Sequence, residues 1–407
     1  MNILYLNHYA GTPALGMEYR PYFLAREWVR LGHRVQVVAA DHSHVRARQP
    51  RAGDETIDGI AWRWVSTPPY RGNGFARLRN ILAFLRALWS DAPRWAAAFR
   101  PDAVIASSTY PMDIWPARRI ARLAGARLVH EVHDLWPLSP IELSGMSPWH
   151  PFALLCQRAE DAACRDADAV VSMLPKVHAH LASRGLDLDR LHIVPNGIDP
   201  AEWERAPAPL DPAVAAALDA ARGDGRVVVG YAGSMGEPNA LDTLLDAARL
   251  LRGEPFAFVL VGDGHLRERL AARVRDERLE RVELLPPIPK AQIPAFLERL
   301  DVAWIGWQRV PIYRFGIAPN KLMDYMMAAR PVLHSVEAGN DPVAESGCGL
   351  TVAPESPEEV ARGLRQLAAM SPRERRQFGE RGRAYVLKHH AYPVLARQFL
   401  AAVGGAA

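Results

Sequence analysis

Short apolar, β-branched runs alternate with helical-period patterns from one end of this chain to the other. In the first half, the runs Ile3–Asn7, Arg34–Ala40, Ala103–Ser107, Arg127–Val132, Ala169–Ser172 and His192–Val194 predict strands. Helices are expected between them, near Glu18–Leu31, Ala76–Phe99, Met112–Ala124, Pro151–Arg165 and Lys176–Ser183. A Pro/Ala-rich stretch, Ala206–Pro212, breaks the rhythm. It restarts with strands expected at Val227–Tyr231, Ala257–Val261, Val282–Leu285, Val302–Ile305, Val332–His334 and Leu350–Val352. Helices follow near Ala240–Leu251, Leu266–Glu277, Gln292–Arg299, Pro319–Ala328 and Glu358–Met370, and the tail Pro372–Ala402 reads as two more. Such alternation implies an α/β chain with two doubly wound parallel sheets. Ligands of such sheets bind beyond the strand C-termini. The expected division is a first Rossmann-like domain at 1–200, a linker at 201–225, a second domain at 226–385, and a helix in 386–407 packing back on the first.

Length agrees with two domains, since 407 residues exceed one ordinary core. The 49% apolar and 23% charged content is that of a globular protein, not a disordered one. Three cysteines (Cys156, Cys164, Cys348) form no disulfide framework and no C-x-x-C spacing, which suits a reducing cytoplasm. No secretory signal and no spanning helix are expected, because the chain enters a strand at once and no apolar run approaches ~18 residues. Charge is uneven. Six arginines against one acid, Asp91, fall between Arg71 and Arg100. Within that stretch Leu78, Ile81, Leu82, Leu85, Leu88 and Trp89 recur at helical spacing, flanked by Arg77, Arg79 and Arg86. Two readings stand: a buried amphipathic helix with a wet basic edge, or a helix resting on an anionic membrane surface through those arginines. No basic-aromatic motif accompanies the charge, so nucleic acid is not an expected partner.

Candidate chemistry begins with what is missing. No strand is followed by a complete G-x-G-x-x-G, and no G-x-x-x-x-G-K-[ST] occurs, so nicotinamide and P-loop chemistry are disfavoured. The informative segment is Phe315-Gly316-Ile317-Ala318-Pro319-Asn320-Lys321-Leu322-Met323-Asp324-Tyr325. A glycine loop feeds a helix with proline expected at its first position, where no hydrogen bond is lost. Free N–H groups and the helix dipole would bind phosphate there, aided by Lys321 and Asn320. Asp324, one turn on, can accept hydrogen bonds from ribose hydroxyls. Phosphate and ribose on one helix mean a nucleotide. The ordinary alternative is a solvated i, i+3 pair of Lys321 and Asp324.

Four further segments lie at predicted strand ends: Gly11–Arg20, His130-Glu131-Val132-His133-Asp134-Leu135-Trp136-Pro137, Val194-Pro195-Asn196-Gly197-Ile198-Asp199 and Val229–Ser234. With Gly262-Asp263-Gly264 and Phe315–Asp324, this ordered set resembles the retaining nucleotide-sugar glycosyltransferases of family 4, which have the GT-B fold. The pairing of HDLWP with FGxxPNKLxDY is similar to the branch that builds bacterial O-antigen and capsule repeat units. The resemblance implies a catalytic His133 near the transferred sugar, with Asp134 and Glu18 as nearby carboxylates. It implies a nucleotide-sugar site of Gly16, Asn196, Gly233, Ser234, Gly262, Pro286, Ile288, Arg314, Gly316, Asn320, Lys321 and Asp324. Asp324 falls on the second glutamate of the family's E-x7-E motif. The first maps to Gly316, and the usual Arg and Lys after the first strand of the second domain are replaced by Ser234 and Asn239. No cofactor and no metal are implied; a UDP-sugar is the expected co-substrate, with GDP open. The implied acceptor is a glycan or polyprenyl-diphosphate-linked sugar at the inner face of the cell membrane. A same-fold nucleotide-sugar epimerase and a non-catalytic scaffold of a polysaccharide assembly complex remain as alternatives. Asp166-x-Asp168 and Asp187-x-Asp189 match a metal-binding D-x-D only superficially and are read as structural.

Overall fold

The computed structural model describes residues 1–72 and 74–404, which form two compact units. Unit 1 is Met1–Asn196 completed by the chain from Tyr392 onward, and unit 2 is Gly197–Ala391. Unit 1 is built on β1 (Asn2–Leu6), β2 (Arg34–Ala40), β3 (Gly53–Ile57), β4 (Ile60–Val65), β5 (Ala103–Ala106), β6 (Arg127–Val132), β7 (Ala169–Ser172) and β8 (Leu191–Ile193). Their order is β3-β4-β2-β1-β5-β6-β7-β8, parallel throughout except the β3–β4 hairpin. Unit 2 holds β9 (Val227–Ala232), β10 (Phe256–Val261), β11 (Val282–Leu285), β12 (Val302–Gly306), β13 (Val332–Ser335) and β14 (Gly349–Val352). These run parallel in the order β11-β10-β9-β12-β13-β14. Strands buried on both faces read as continuous apolar runs, so the central strands match their expected bounds to within a residue or two.

The hairpin β3–β4 went unforeseen. β3 is polar and mostly exposed, and β4 shows alternating burial along Ile60-Ala61-Trp62-Arg63-Trp64-Val65. That alternation marks a strand covered on one face only. The segment read as a linker, 201–225, carries short helices at Ala201–Glu204 and Pro212–Arg222 and belongs to unit 2. The tail forms the helices Pro372–His389 and Tyr392–Val403, and residues 405–407 lie outside the described ones. The second of these helices enters the core of unit 1, where Phe399 packs on Trp28 and Tyr392 stacks on Phe23 at 4.8 Å between centroids. Trp28 Nε1 donates to Ala396 O at 3.0 Å, so the indole is satisfied where it is buried. Burial of a side chain such as Phe399 contributes about 1.5–3 kcal/mol.

The expected single stripe on the basic helix is two faces. The helix spans Phe75–Ser90, and a π-helical turn at Trp95–Phe99 follows a short turn at Ala92–Arg94. Ile81, Phe84 and Leu88 point into the core, whereas Phe75, Leu82 and Trp89 are exposed at 80%, 49% and 46%. Arg79 and Arg86 are exposed with them. Arg77 is half-buried: its Nε donates to Tyr9 OH at 3.1 Å and its guanidinium lies over that ring. No helix among the described residues is long and apolar enough to cross a membrane. All three cysteines are buried and free.

Candidate functional site

The polar chemistry of unit 1 gathers at the C-terminal ends of β1, β5 and β6. His133 follows β6 directly and is 5% exposed. Its Nε2 lies 2.9 Å from Ser107 Oγ and 3.3 Å from Glu131 Oε2. Glu131, wholly buried, accepts from Tyr5 OH and Ser107 Oγ, each at 2.6 Å, and from Arg20 Nε at 2.7 Å. The remaining nitrogens of Arg20 donate to Val194 O and Pro195 O. Burial would lift the Glu131 carboxyl, but Arg20 and His133 beside it hold it well below the usual carboxylate range. Burial likewise works against the His133 imidazolium, and the Glu131 and Glu18 carboxylates outweigh it, leaving His133 above its ordinary value.

Glu18 is half-buried in the loop after β1, and burial raises its carboxyl despite nearby His133 and Arg20. Asp134 is exposed at the strand end. Gly16 has φ +109°, and a Cβ there would meet Ala47 N at 2.8 Å. The close approach that needs a glycine is therefore to the chain's own backbone. Asn196, buried, accepts from Tyr392 OH at 3.4 Å. Sequence reasoning brought out His133, Asp134 and Glu18 but missed Glu131, Ser107, Tyr5 and Arg20. A signal existed: Glu131 is a carboxylate inside an apolar strand, two residues from His133 and so on the same face.

In unit 2, Pro319 is extended and caps the helix Asn320–Met327 instead of starting it. Lys321 does not pair with Asp324. Its Nζ donates to Tyr231 OH at 2.9 Å and to Asn239 Oδ1, and lies 4.7 Å from the Tyr231 ring centre. These partners are neutral, and burial pushes the ammonium down to about 7. A Cβ on Gly233 would meet Lys321 Nζ at 3.2 Å, so the cation sits against the turn after β9. Asn239 is the position where the resemblance expected a cation; Lys321 reaches it from another helix.

The turns after β9 and β10 are also pressed together. A Cβ on Gly262 would fall 1.9 Å from Gly233 O, which only glycine tolerates. Ser234 is exposed, and its carbonyl accepts from Tyr231 OH at 2.6 Å. Asp324 is half-buried, its carboxyl pushed up to about 6 by burial, with Lys290 working against that shift and Glu202 adding to it. Pro286 is exposed, and Ile288 is half-buried against the core beneath β11. Arg314 is exposed with its guanidinium 4.3 Å from the Phe315 ring centre, and Asn320 is exposed on the first turn of its helix. Gly316 has φ +102°, a conformation that disfavours the glutamate of the family motif.

The two D-x-D segments are structural. Asp166 pairs with Arg118 and Arg165, Asp168 accepts from Leu128 N at 2.7 Å, and Asp187 caps a short turn through Asp189 N. Among the described residues no three His, Cys, Asp or Glu side chains are grouped as metal ligands would be.

Two doubly wound parallel-sheet units are the architecture of the GT-B fold. The model of the glycosyl transferase 4-like domain matches residues 16–197, and that of glycosyl transferases group 1 matches residues 226–370. The chain belongs to the family 4-like GT-B glycosyltransferases. It is 25% identical over 373 residues to the putative colanic acid biosynthesis glycosyl transferase WcaI of Escherichia coli K12, covering 87% of this chain and 90% of that one. Its fold matches sucrose-phosphate synthase from Thermosynechococcus elongatus, with TM-score 0.75 at 17% identity over 98% and 97% of the two chains. It also matches Anabaena HepE in complex with UDP, with TM-score 0.67 at 16% identity over 99% and 100%.

Proposed function

We propose that this glycosyltransferase moves a hexose from a UDP-sugar to a glycan or polyprenyl-diphosphate-linked acceptor in bacterial surface polysaccharide synthesis, with retention at the anomeric carbon. The observation that carries the reading is Lys321, a half-buried cation with neutral partners at the glycine turn after β9. Such a group is completed by an anion, and the leaving diphosphate is one. The polysaccharide context is supported by the similarity to a colanic acid enzyme, and UDP by the HepE complex.

Unit 2 holds the nucleoside diphosphate. Asp324 accepts from the ribose, Lys321 and Asn320 meet the phosphates, Gly233, Ser234 and Gly262 offer backbone, and Pro286 and Ile288 border the base. Gly316 has no side chain to offer the sugar, so its backbone or Arg314 serves there. Unit 1 supplies His133 to the transferred sugar and leaving phosphate, with Glu18 and Asp134 nearby. The barrier falls chiefly through stabilisation of charge on the departing diphosphate. The leaving phosphate accepts the acceptor's proton on the face it leaves, so no carboxylate pair or metal is required. The exposed face of helix Phe75–Ser90 rests the protein on an anionic inner-membrane surface in the cytoplasm.

A panel of nucleotides scored by thermal stabilisation tests the nucleotide reading, since a native-state ligand raises apparent stability. UDP should stabilise most; indifference to every nucleotide would refute it. Donor turnover that needs no acceptor would instead favour the epimerase alternative.

A further inference from the structure

The hydrogen bonds around His133 settle which of its nitrogens carries a proton inward. Asn7 is oriented by two contacts: its Oδ1 accepts from Tyr9 N at 3.1 Å and its Nδ2 donates to Ser107 O at 2.6 Å. The same Nδ2 donates to Ser107 Oγ at 3.2 Å. Ser107 spends its own proton on Glu131 Oε2, so toward His133 Nε2 it presents a lone pair. The opposite arrangement would set an unprotonated Nε2 against a carboxylate oxygen 3.3 Å away. Nε2 therefore donates.

We propose that Glu131, acting with Ser107, is a positioning residue that fixes a proton on Nε2 of His133 and holds the ring as an imidazolium, so that Nδ1–H is the donor offered to the departing phosphate oxygen. His133 is then a hydrogen-bond donor to developing charge and not a general base. The charges facing it come from every side. Glu131 and His130 lie on β6, Asp134 just beyond, Glu18 and Arg20 after β1, and Asp113 in the turn after β5. Burial pushes His130 down to about 4, so it adds no positive charge at neutral pH, and it pushes Asp113 up to about 6. Arg20 is the one fixed cation among these groups, and its guanidinium is committed to Glu131 and two carbonyls. The carboxylates thus have a second cation to hold, and the imidazolium fills that place.

This rests on His133 acting at the leaving group, and the primary readout is chosen to be independent of turnover. In protein labelled with nitrogen-15 histidine, the His133 signals are assigned by their loss in His133→Ala. The expected result is a protonated Nε2 at every pH and a ring that stays charged above the ordinary histidine value of about 6.5. A neutral ring with its proton on Nδ1, or titration at the ordinary value, would overturn the proposal. In kinetics, Glu131→Gln should move the alkaline limb of kcat about one pH unit or more toward acid, as expected when an opposite charge is removed. Ser107→Ala leaves the Arg20–Glu131 pair intact and covers the case in which Glu131→Gln does not fold. It should lower kcat with donor KM little changed, and shift the same limb in the same direction. An unmoved limb in a folded variant refutes the assignment. A protein inactive on every nucleotide sugar that still shows the charged, Nε2-protonated ring would refute the function and leave the wiring standing.

Discussion

The two strand-end clusters are organised on opposite principles. In unit 1 Tyr5, Arg20, Ser107, Glu131 and His133 are deeply buried and bonded to each other: Glu131 alone answers Tyr5, Ser107 and Arg20. In unit 2 a single ammonium is held by a phenol and an amide. Buried charges persist when they are paired and hydrogen-bonded, and only the first cluster meets that rule by itself. The first is finished without a ligand and serves geometry. The second leaves its ammonium among neutral partners, which in the proposed function the diphosphate completes. On that proposal one cluster orients and the other binds.

The contrast can be broken at several points, and the largest effect should come from unit 1. His133→Ala should lower kcat by about 10²–10⁴-fold, the range of a positioned donor or acid–base group, while calorimetric donor affinity stays near wild type. A raised KM with kcat intact would make His133 a binding residue and erase the distinction.

Asp324→Ala probes the other unit and should do the reverse. Lost hydrogen bonds to a charged acceptor cost about 1.5–3 kcal/mol, a fall in UDP affinity of about 10–150-fold. Unchanged binding in a calorimetric titration would end the ribose assignment.

Acidity sharpens the same point. Lys321 loses its proton as pH rises through about 7, and Asp324 loses its charge as pH falls through about 6. Affinity for a UDP-sugar, whose diphosphate does not titrate in this range, should therefore peak between those values. It should fall by up to about tenfold per unit on either side. Lys321→Arg should abolish the alkaline limb, because a guanidinium stays charged. Affinity flat from acid to alkaline conditions would show that neither group meets the ligand.

The smallest expected effect lies outside both clusters. Phe75, Arg79, Leu82, Arg86 and Trp89 share one exposed helix face. Arg79→Glu with Arg86→Glu should weaken binding to anionic vesicles by at least about tenfold, at about 1 kcal/mol per basic residue, and salt should mimic it. Arg77 is left in place because it is bonded to Tyr9. Equal sedimentation of both proteins with anionic vesicles would remove the membrane face.

What was readable in the sequence follows the same division. Strands of unit 2 are continuous apolar runs, and Lys321 and Asp324 stand in one local motif, so both were legible from neighbours along the chain. The bond from Lys321 to Asn239 spans 82 positions and that from Arg20 to Glu131 spans 111. No local pattern encodes such a meeting. The basic helix misled because helical spacing assigns a face by hydrophobicity alone, and Phe75, Leu82 and Trp89 are apolar yet outward. Gly316 was legible as a departure from the motif, but its positive φ, which explains the departure, was not.

The helix Tyr392–Val403 has a consequence for how the protein comes into being. It supplies Tyr392, Leu395, Ala396, Phe399 and Leu400 to the core around Trp28. On a ribosome the sheet of unit 1 is made first, yet this helix is made only after the whole of unit 2. All of unit 2 must be translated in between, roughly 10–40 s at ordinary elongation rates of ~5–20 residues per second. During that interval Phe23 and Trp28 lie without their cover, and a truncated nascent chain carries an open apolar seam. The unit begun first is therefore completed only after the other, and its core closes once Tyr392–Val403 has been made.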